Sequence, residues 1–408
     1  MISVSLLRFA DSVRSTVVER QIPADLQMRR LRVLHCPAMV AGTLQTLARA
    51  ERKLGIDSWV VAFSPSTYGY KPDEILWNAD DQLLVMEAKR WALLYRALKH
   101  FDILHFNFGQ SIMPERVLRA ENSDEHFSLL WQMYKLYARV LELRDLPVLK
   151  KAGKGIVVTY QGDDARQGDF CRRNFETHHA FEVELGYYSP ESDAHKRRKI
   201  DVFSRYADRI YALNPDVLHM LPYRAEFLPY SQIDLTDWQP IHDARSTNQT
   251  PVVVHAPTHR LGKGTRFILD AVSRLKSEGV ALQFLLVEGV AQTEARRTFQ
   301  RADLLIDQLL TGWYGGVAVE AMALGKPVIC YIREDDLKFV PARMREDLPI
   351  INAMPGTIYE VLREWMTKRR HELPELGRRS RAYVEKWHDP LKVAAKLKHE
   401  YEAIMACG

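Results

Sequence analysis

Residues 252–287 read VVVHAPTHRLGKGTRFILDAVSRLKSEGVALQFLLV. Val252–His255 is a short run of β-forming apolar residues, and His259–Gly264 is a glycine-bearing loop. Phe267, Ile268, Ala271, Val272 and Leu275 then fall on one face at the helical period, Gly279 stops the helix, and Leu282–Val287 is a second strand. This is a βαβ unit, which predicts two parallel strands joined by a covering helix. The same syntax recurs at Leu31–Cys36, a loop with Pro37 and Gly42, a helix carrying Leu44, Leu47, Ala48 and Leu54, Gly55, and the strand Trp59–Phe63. It returns at Leu304–Ile306, a helix over Val317–Leu324, Gly325, and Val328–Ile332. Ile103–Phe106, Ile156–Thr159 and Arg209–Ala212 supply further strands, and residues 110–150 read as helical. The pattern predicts an α/β chain whose parallel sheets are covered on both faces. From Arg379 to Ala406 the residues Tyr383, Val384, Trp387, Val393, Leu397, Tyr401 and Ile404 keep helical spacing, interrupted at Pro390; this terminal helix is expected to cross back onto the first domain.

At about 150 residues per domain, 408 residues suggest two or three domains. Apolar residues at 47% and charged residues at 27% exclude a disordered, collagen-like or coiled-coil chain. A net charge of +5 permits an anionic ligand without demanding nucleic acid, and no nucleic-acid-binding module is visible. Between Pro229 and Pro251 the chain turns polar and loses its apolar period, which marks an interdomain linker. The expected division is an N-terminal extension 1–30, a Rossmann-like acceptor domain 31–235, a linker 236–250, a Rossmann-like donor domain 251–385 and a terminal helix 386–408. Cys36, Cys171, Cys330 and Cys407 are scattered, which argues against a disulfide framework or a structural zinc site and for a reducing cytoplasm. The opening thirty residues contain Asp11, Arg14, Glu19 and Arg20 and do not read as a secretory signal. No stretch approaches the roughly 20 apolar residues of a spanning helix, so membrane association is expected to be peripheral, at the inner face.

Open α/β sheets bind ligands beyond the carboxyl ends of their strands. After the strand Val252–His255, Arg260 and Lys263 sit beside Gly262 and Gly264 before a helix, a setting for a diphosphate. After Leu304–Ile306, Gly312, Gly315 and Gly316 precede a helix, and Glu320 lies one turn in, where a carboxylate can accept hydrogen bonds from vicinal hydroxyls. In the first half Gly42, His105 with Asn107, and Gln161, Asp163 and Asp164 follow strands; either aspartate can orient an acceptor hydroxyl, pair with Arg166 or close an Asx turn. Asn214 reads as a helix cap, and the runs 195–199, 368–370 and 378–381 as solvated basic faces with anionic lipid as the alternative. Trp77, Trp91, Trp131 and Tyr134 read as core residues of helical segments, and His178 and His179 lack metal-site spacing.

The stretch 307–331, DQLLTGWYGGVAVEAMALGKPVICY, together with the Lys263 loop, resembles the retaining, nucleotide-sugar-dependent glycosyltransferases of family 4, with the two-Rossmann GT-B architecture and a central cleft. The resemblance implies that Arg260 and Lys263 hold the donor diphosphate and that Glu320 matches the ribose-binding second glutamate of the family pair. The first glutamate, eight residues earlier, is Gly312 here, which leaves the donor sugar to the backbone of Trp313, Tyr314, Gly315 and Gly316 or to Asp307. It further implies Arg260, Lys263 and Asp163 as catalytic groups, and Gly42, His105, Gln161, Asp164 and Glu320 as substrate contacts. The expected partners are a nucleoside diphosphate sugar as donor substrate, no cofactor, no metal, and a glycan, lipid-linked or small-molecule acceptor. A GT-B epimerase or phosphorylase, or a catalytically silent nucleotide-sugar-binding subunit, is the alternative.

Overall fold

The computed structural model describes residues 30–38, 42–66, 69–118, 129–240 and 250–407. The N-terminal extension, apart from Arg30, and most of the linker, residues 241–249, lie outside the described residues, as does part of the loop bearing Gly42. The first sheet contains β1 (Arg32–Cys36), β2 (Asp57–Ala62), β3 (Glu74–Ile75), β4 (Ile103–Asn107), β5 (Gly155–Tyr160), β6 (Arg209–Ala212) and β7 (Glu226–Phe227). Its order is β3-β2-β1-β4-β5-β6-β7, parallel throughout. The second contains β8 (Val252–His255), β9 (Gln283–Leu286), β10 (Leu304–Ile306), β11 (Val328–Cys330) and β12 (Ile350–Asn352) in the order β12-β11-β10-β8-β9, also parallel. Helices cover both faces, which is why all six residues of β5 and all four of β8 are buried. The strand order reverses between β1 and β4 in the first sheet and between β8 and β10 in the second; both crevices are places where such sheets bind ligands.

The strands Val252–His255, Leu304–Ile306 and Arg209–Ala212 have the ends read from the sequence. The region 110–150 differs. Its described helices are Leu129–Leu141 and Asp145–Lys151, and residues 112–118 form no regular element. The loop His259–Gly264 is wound into a short helix, Arg260–Lys263, because the His259 Nδ1 accepts from the Gly262 amide at 2.9 Å and so caps its first turn.

Two helices end the chain, Leu373–Trp387 and Pro390–Cys407. The break falls at His388 and Asp389, before the proline that opens the second helix. This second helix packs on the helix Thr43–Lys53 of the first domain. Its buried Tyr401 hydroxyl lies 2.6 Å from the His105 Nδ1 and donates to the Glu51 Oε1 at 3.2 Å, and its Glu400 pairs with Arg209. Tyr401→Phe should therefore strand two buried polar groups and cost about 1–3 kcal/mol, seen as a lower denaturant midpoint at unchanged m-value.

Candidate functional site

The loops after β8 and β10 meet at the switch point of the second sheet. Lys263 ends the short capped helix, and its Nζ donates to the Asp307 Oδ1 at 3.2 Å and the Gln308 Oε1 at 2.7 Å. Asp307 is buried, and its Oδ2 accepts from the Gly315 amide at 2.6 Å. A side chain at Gly315 would meet the Lys263 Nζ at 3.2 Å, so glycine there is what lets the ammonium lie against the turn. The helix Gly316–Ala323 starts at this spot, and its first amides have no partner inside the helix. An ammonium with one donor left over, beside a helix N-terminus, is an arrangement that favours anionic oxygens.

Glu320 is buried one turn along that helix and accepts from the Gln292 Nε2 at 3.1 Å. Burial pushes its carboxyl up to about 7, and the Asp307 charge adds to the rise. Lys263 thus pairs with Asp307, and Glu320 is close enough to that carboxylate to feel its charge. Arg260 does not join them. It is mostly exposed and forms a bidentate pair with Glu288 beyond β9. The two loop cations read together from the sequence thus stand apart here, Lys263 inside and Arg260 at the rim.

Trp313 and Tyr314 are fully buried, which removes their rings as ligand contacts. They stack on each other, the Tyr314 hydroxyl bonds Tyr383 and His388, and the Trp313 carbonyl accepts from Gln308. Gly312 has φ 87°, and a Cβ there would meet Arg333 at 2.8–2.9 Å. Arg333 fills the space a longer side chain at 312 would need, and it bonds Asp336 and the Thr177 carbonyl of the first domain.

In the first domain several expected contacts prove internal. His105 is buried between Tyr401 and the Thr159 Oγ1, and burial, helped by neighbouring His35, holds its pKa well below the usual value. It serves the core rather than the cleft. The close approach at Gly42 is to the Tyr70 ring, with a would-be Cβ only 2.6 Å away. Gln161 donates to the Asn107 Oδ1 at 3.3 Å. Asp164 accepts from the Gln161 and Gly162 amides, which precede it, so it ties the loop back toward β5 rather than closing an Asx turn, and burial raises its carboxyl to about 6. Asn214 stands at the start of a short helix without capping it; its side chain bonds the Gln161 carbonyl and the Tyr230 hydroxyl instead.

Asp163 accepts from the hydroxyls of Tyr187 at 2.5 Å and Tyr188 at 2.7 Å, with His179 and Arg166 each at 3.3 Å. Burial pushes its carboxyl up, but the His179 hydrogen bond and the charges of His179 and Arg166 outweigh this and hold it well below the usual range. A carboxylate so held is a poor proton acceptor, so the catalytic role expected of Asp163 becomes one of positioning. Arg166 is shared with the buried Asp216, at 2.6 Å and 3.1 Å. His179 reaches the second domain through Thr311, so this polar group lies where the domains meet.

A cavity of about 660 Å³ lies at the switch point of the first sheet, beyond β1, β2 and β4. Phe63, Trp77 and Tyr134 form its apolar walls, and Arg90, Glu115 and Lys199 its polar ones. The basic run 195–199 is solvated only in part, at Arg197 and Arg198. His195 and Lys199 are buried, paired with Glu142 at 2.7 Å and with Glu115, and Arg198 also reaches Glu142. Glu115, Glu142 and His195 bring ligand atoms within 4.8 Å of one another, but these cations already neutralise both carboxylates. The aromatic reading is also corrected: Trp77 follows β3 outside any helix, and Trp91 is exposed.

Sequence reasoning passed over Gln308, Gln292 and Gln232. Gln308 carried a signal, since it lies two residues past β10 at the switch point. Gln232 carried none; it lies in the polar stretch read as linker, yet its side-chain amide donates to the Gly316 carbonyl at 3.0 Å while its backbone carbonyl accepts from the Thr46 hydroxyl.

No protein-family model matches the chain, and no curated protein matches it in sequence. Solved structures do match over nearly its whole length. Sucrose-phosphate synthase from Thermosynechococcus elongatus has a TM-score of 0.58 at 14% identity, covering 93% of this chain and 100% of its own. HepE of Anabaena in complex with UDP-glucose has a TM-score of 0.58 at 11% identity, covering 92% and 100%. The catalytic domain of starch synthase IV from Arabidopsis thaliana, bound to ADP and acarbose, has a TM-score of 0.56 at 11% identity, covering 93% and 100%. The chain shares with these proteins the GT-B fold of two Rossmann-like domains.

Proposed function

We propose that this protein is a glycosyltransferase of the family 4 type, moving a sugar, as hexosyltransferases do, from a nucleoside diphosphate sugar to an acceptor hydroxyl with retention and without a metal. The observation that carries the reading is the Lys263 ammonium held by buried Asp307 and Gln308 against Gly315, at the start of the helix that bears Glu320. The known proteins of this fold named above act on or bind sugars and nucleotides, one of them UDP-glucose, which supports the same donor class here. As the bond between sugar and phosphate breaks, negative charge grows on the diphosphate. Lys263 and the amides of the Gly316 helix stabilise that charge, and Arg260 stands at the rim for the outer phosphate after releasing Glu288. Glu320 accepts from the ribose hydroxyls. The leaving phosphate, rather than Asp163, takes the acceptor proton, because Asp163 is held ionised by its four donors. The acceptor occupies the cavity walled by Trp77 and Tyr134. Retention rests on the resemblance to family 4.

A second reading draws on Gly312. With Arg333 in the space of the family's sugar-contacting glutamate, the chain would bind a sugar nucleotide without transferring it. A thermal-shift panel of UDP, GDP and ADP and their sugar conjugates tests the shared part. One base should stabilise the protein, by about 2.7 kcal/mol at a hundredfold excess over Kd, and no shift with any of them removes both readings. Release of free nucleotide from the donor with an acceptor present then separates transfer from silent binding.

A further inference from the structure

Apolar side chains normally face inward on a helix of a globular domain. The helix Leu129–Leu141 does the reverse: Leu129, Met133, Leu136 and Val140 form a stripe one to two turns apart and are each 56–77% exposed. The helix Leu83–His100 lies alongside, joined by the Trp91 Nε1 bond to the Tyr137 hydroxyl at 2.8 Å, and adds exposed Leu84, Trp91 and Tyr95. Together they make one apolar face with aromatic side chains at its middle.

Charge selects the occupant. The helix Leu129–Leu141 carries Lys135 and Arg139 and no acid. The single acid of the neighbouring helix, Glu87, is tied to Arg90, Tyr134 and Tyr137. Lys135 and Arg139 form no ion pair among the described residues, and Arg144 follows them. A second copy of this chain would set the same basic rim against itself. Residues 1–29, with Arg8, Arg14, Arg20 and Arg29 against Asp11, Glu19 and Asp25, are not acidic either; residues 119–128, with Glu121, Asp124 and Glu125 against Arg119, are, and cover by the chain's own residues is an outcome of the test below. An apolar stripe with a basic border fits the boundary of an anionic bilayer, where leucine and tryptophan enter the acyl region and lysine and arginine meet the head groups.

We propose that the face made by the helices Leu83–His100 and Leu129–Leu141 docks on an anionic membrane surface. Tyr134 and Arg90, from these same two helices, line the 660 Å³ cavity, so docking holds that cavity at the lipid surface and favours an acceptor hydroxyl carried by a membrane lipid. The acceptor class rests on the glycosyltransferase reading; the docking does not.

Flotation of the full chain with vesicles tests it without donor or transfer. The protein should float with vesicles of mixed phosphatidylglycerol and phosphatidylcholine and stay behind with phosphatidylcholine alone. Met133→Glu with Leu136→Glu, both at exposed positions, should abolish flotation, and Lys135→Glu with Arg139→Glu should weaken it roughly twentyfold or more. Both variants should keep the wild-type nucleotide-induced thermal shift, so failed docking and failed donor binding are separable. Met133→Cys, labelled with a polarity-sensitive dye after Cys407→Ser removes the exposed thiol, should shift to the blue only with anionic vesicles. Wild-type protein that ignores anionic vesicles overturns the proposal. So does a dye already in an apolar setting without lipid, with light scattering then assigning the cover to a second copy if dimeric or to the chain's own residues if monomeric.

Discussion

Lys263→Met should lower kcat/KM for transfer by about 10²–10³-fold, equivalent to roughly 3–4 kcal/mol of lost stabilisation of the leaving diphosphate. Methionine keeps the stem of the side chain and removes only the ammonium. The substitution also has a structural cost, because Asp307 is buried and would keep the Gly315 amide as its remaining partner. A buried carboxylate that loses its cation destabilises the fold by an amount on the order of 3–5 kcal/mol. Asp307→Asn in the same chain should restore much of that stability, since an amide oxygen can still accept from Gly315, but it should not restore transfer. Stability and activity thus part company in the double variant. Full turnover in Lys263→Met would remove the phosphate role; recovery of turnover together with stability would make Lys263 a structural lysine only.

The sheets were legible because parallel strands buried on both faces leave unbroken apolar runs. VVVH at 252–255, with a glycine-stopped helix behind it, leaves little other reading. The second-domain site was legible for a related reason: Lys263, Gly315 and Glu320 lie near one another through loops that follow adjacent strands. Its inner details were not. Nothing local says that Arg260 turns to Glu288 while Lys263 turns to Asp307. The first-domain candidates fared worse because their partners are remote in sequence. His105 looks like a cleft residue until Tyr401, 296 positions away, arrives on the terminal helix. The run 195–199 looks solvated until helical spacing sets His195 and Lys199 on one buried face, opposite acids 53 and 84 positions away. Trp313 and Tyr314 lie beside glycines that suggest an open turn, but their rings close the core beneath it.

Donor affinity should rise with pH through neutrality, and Glu320 is the reason. Its carboxyl is raised to about 7 by burial and by Asp307, so at pH 6 the free protein holds it mostly protonated. Ribose hydroxyls donate most strongly to the ionised form, so binding must first release that proton. The Kd for a nucleoside diphosphate sugar should therefore fall about tenfold from pH 6 to pH 8 and then level off, while Glu320→Gln should bind more weakly and show no such slope. The sugar conjugate is the ligand of choice, because its diphosphate is doubly esterified and has no titration of its own near neutrality. Stability runs the other way. A carboxyl whose folded value is raised contributes stability that is fully present below its ordinary 4.5 and is lost as pH rises through 7. In the absence of ligand Glu320→Gln should consequently be the more stable chain at pH 8, by up to about 3 kcal/mol, and the difference should close toward pH 4. A pH-independent Kd in the wild type, alongside a Glu320→Gln variant of equal affinity, would take the ribose away from Glu320 and leave it a buried acid bonded to Gln292.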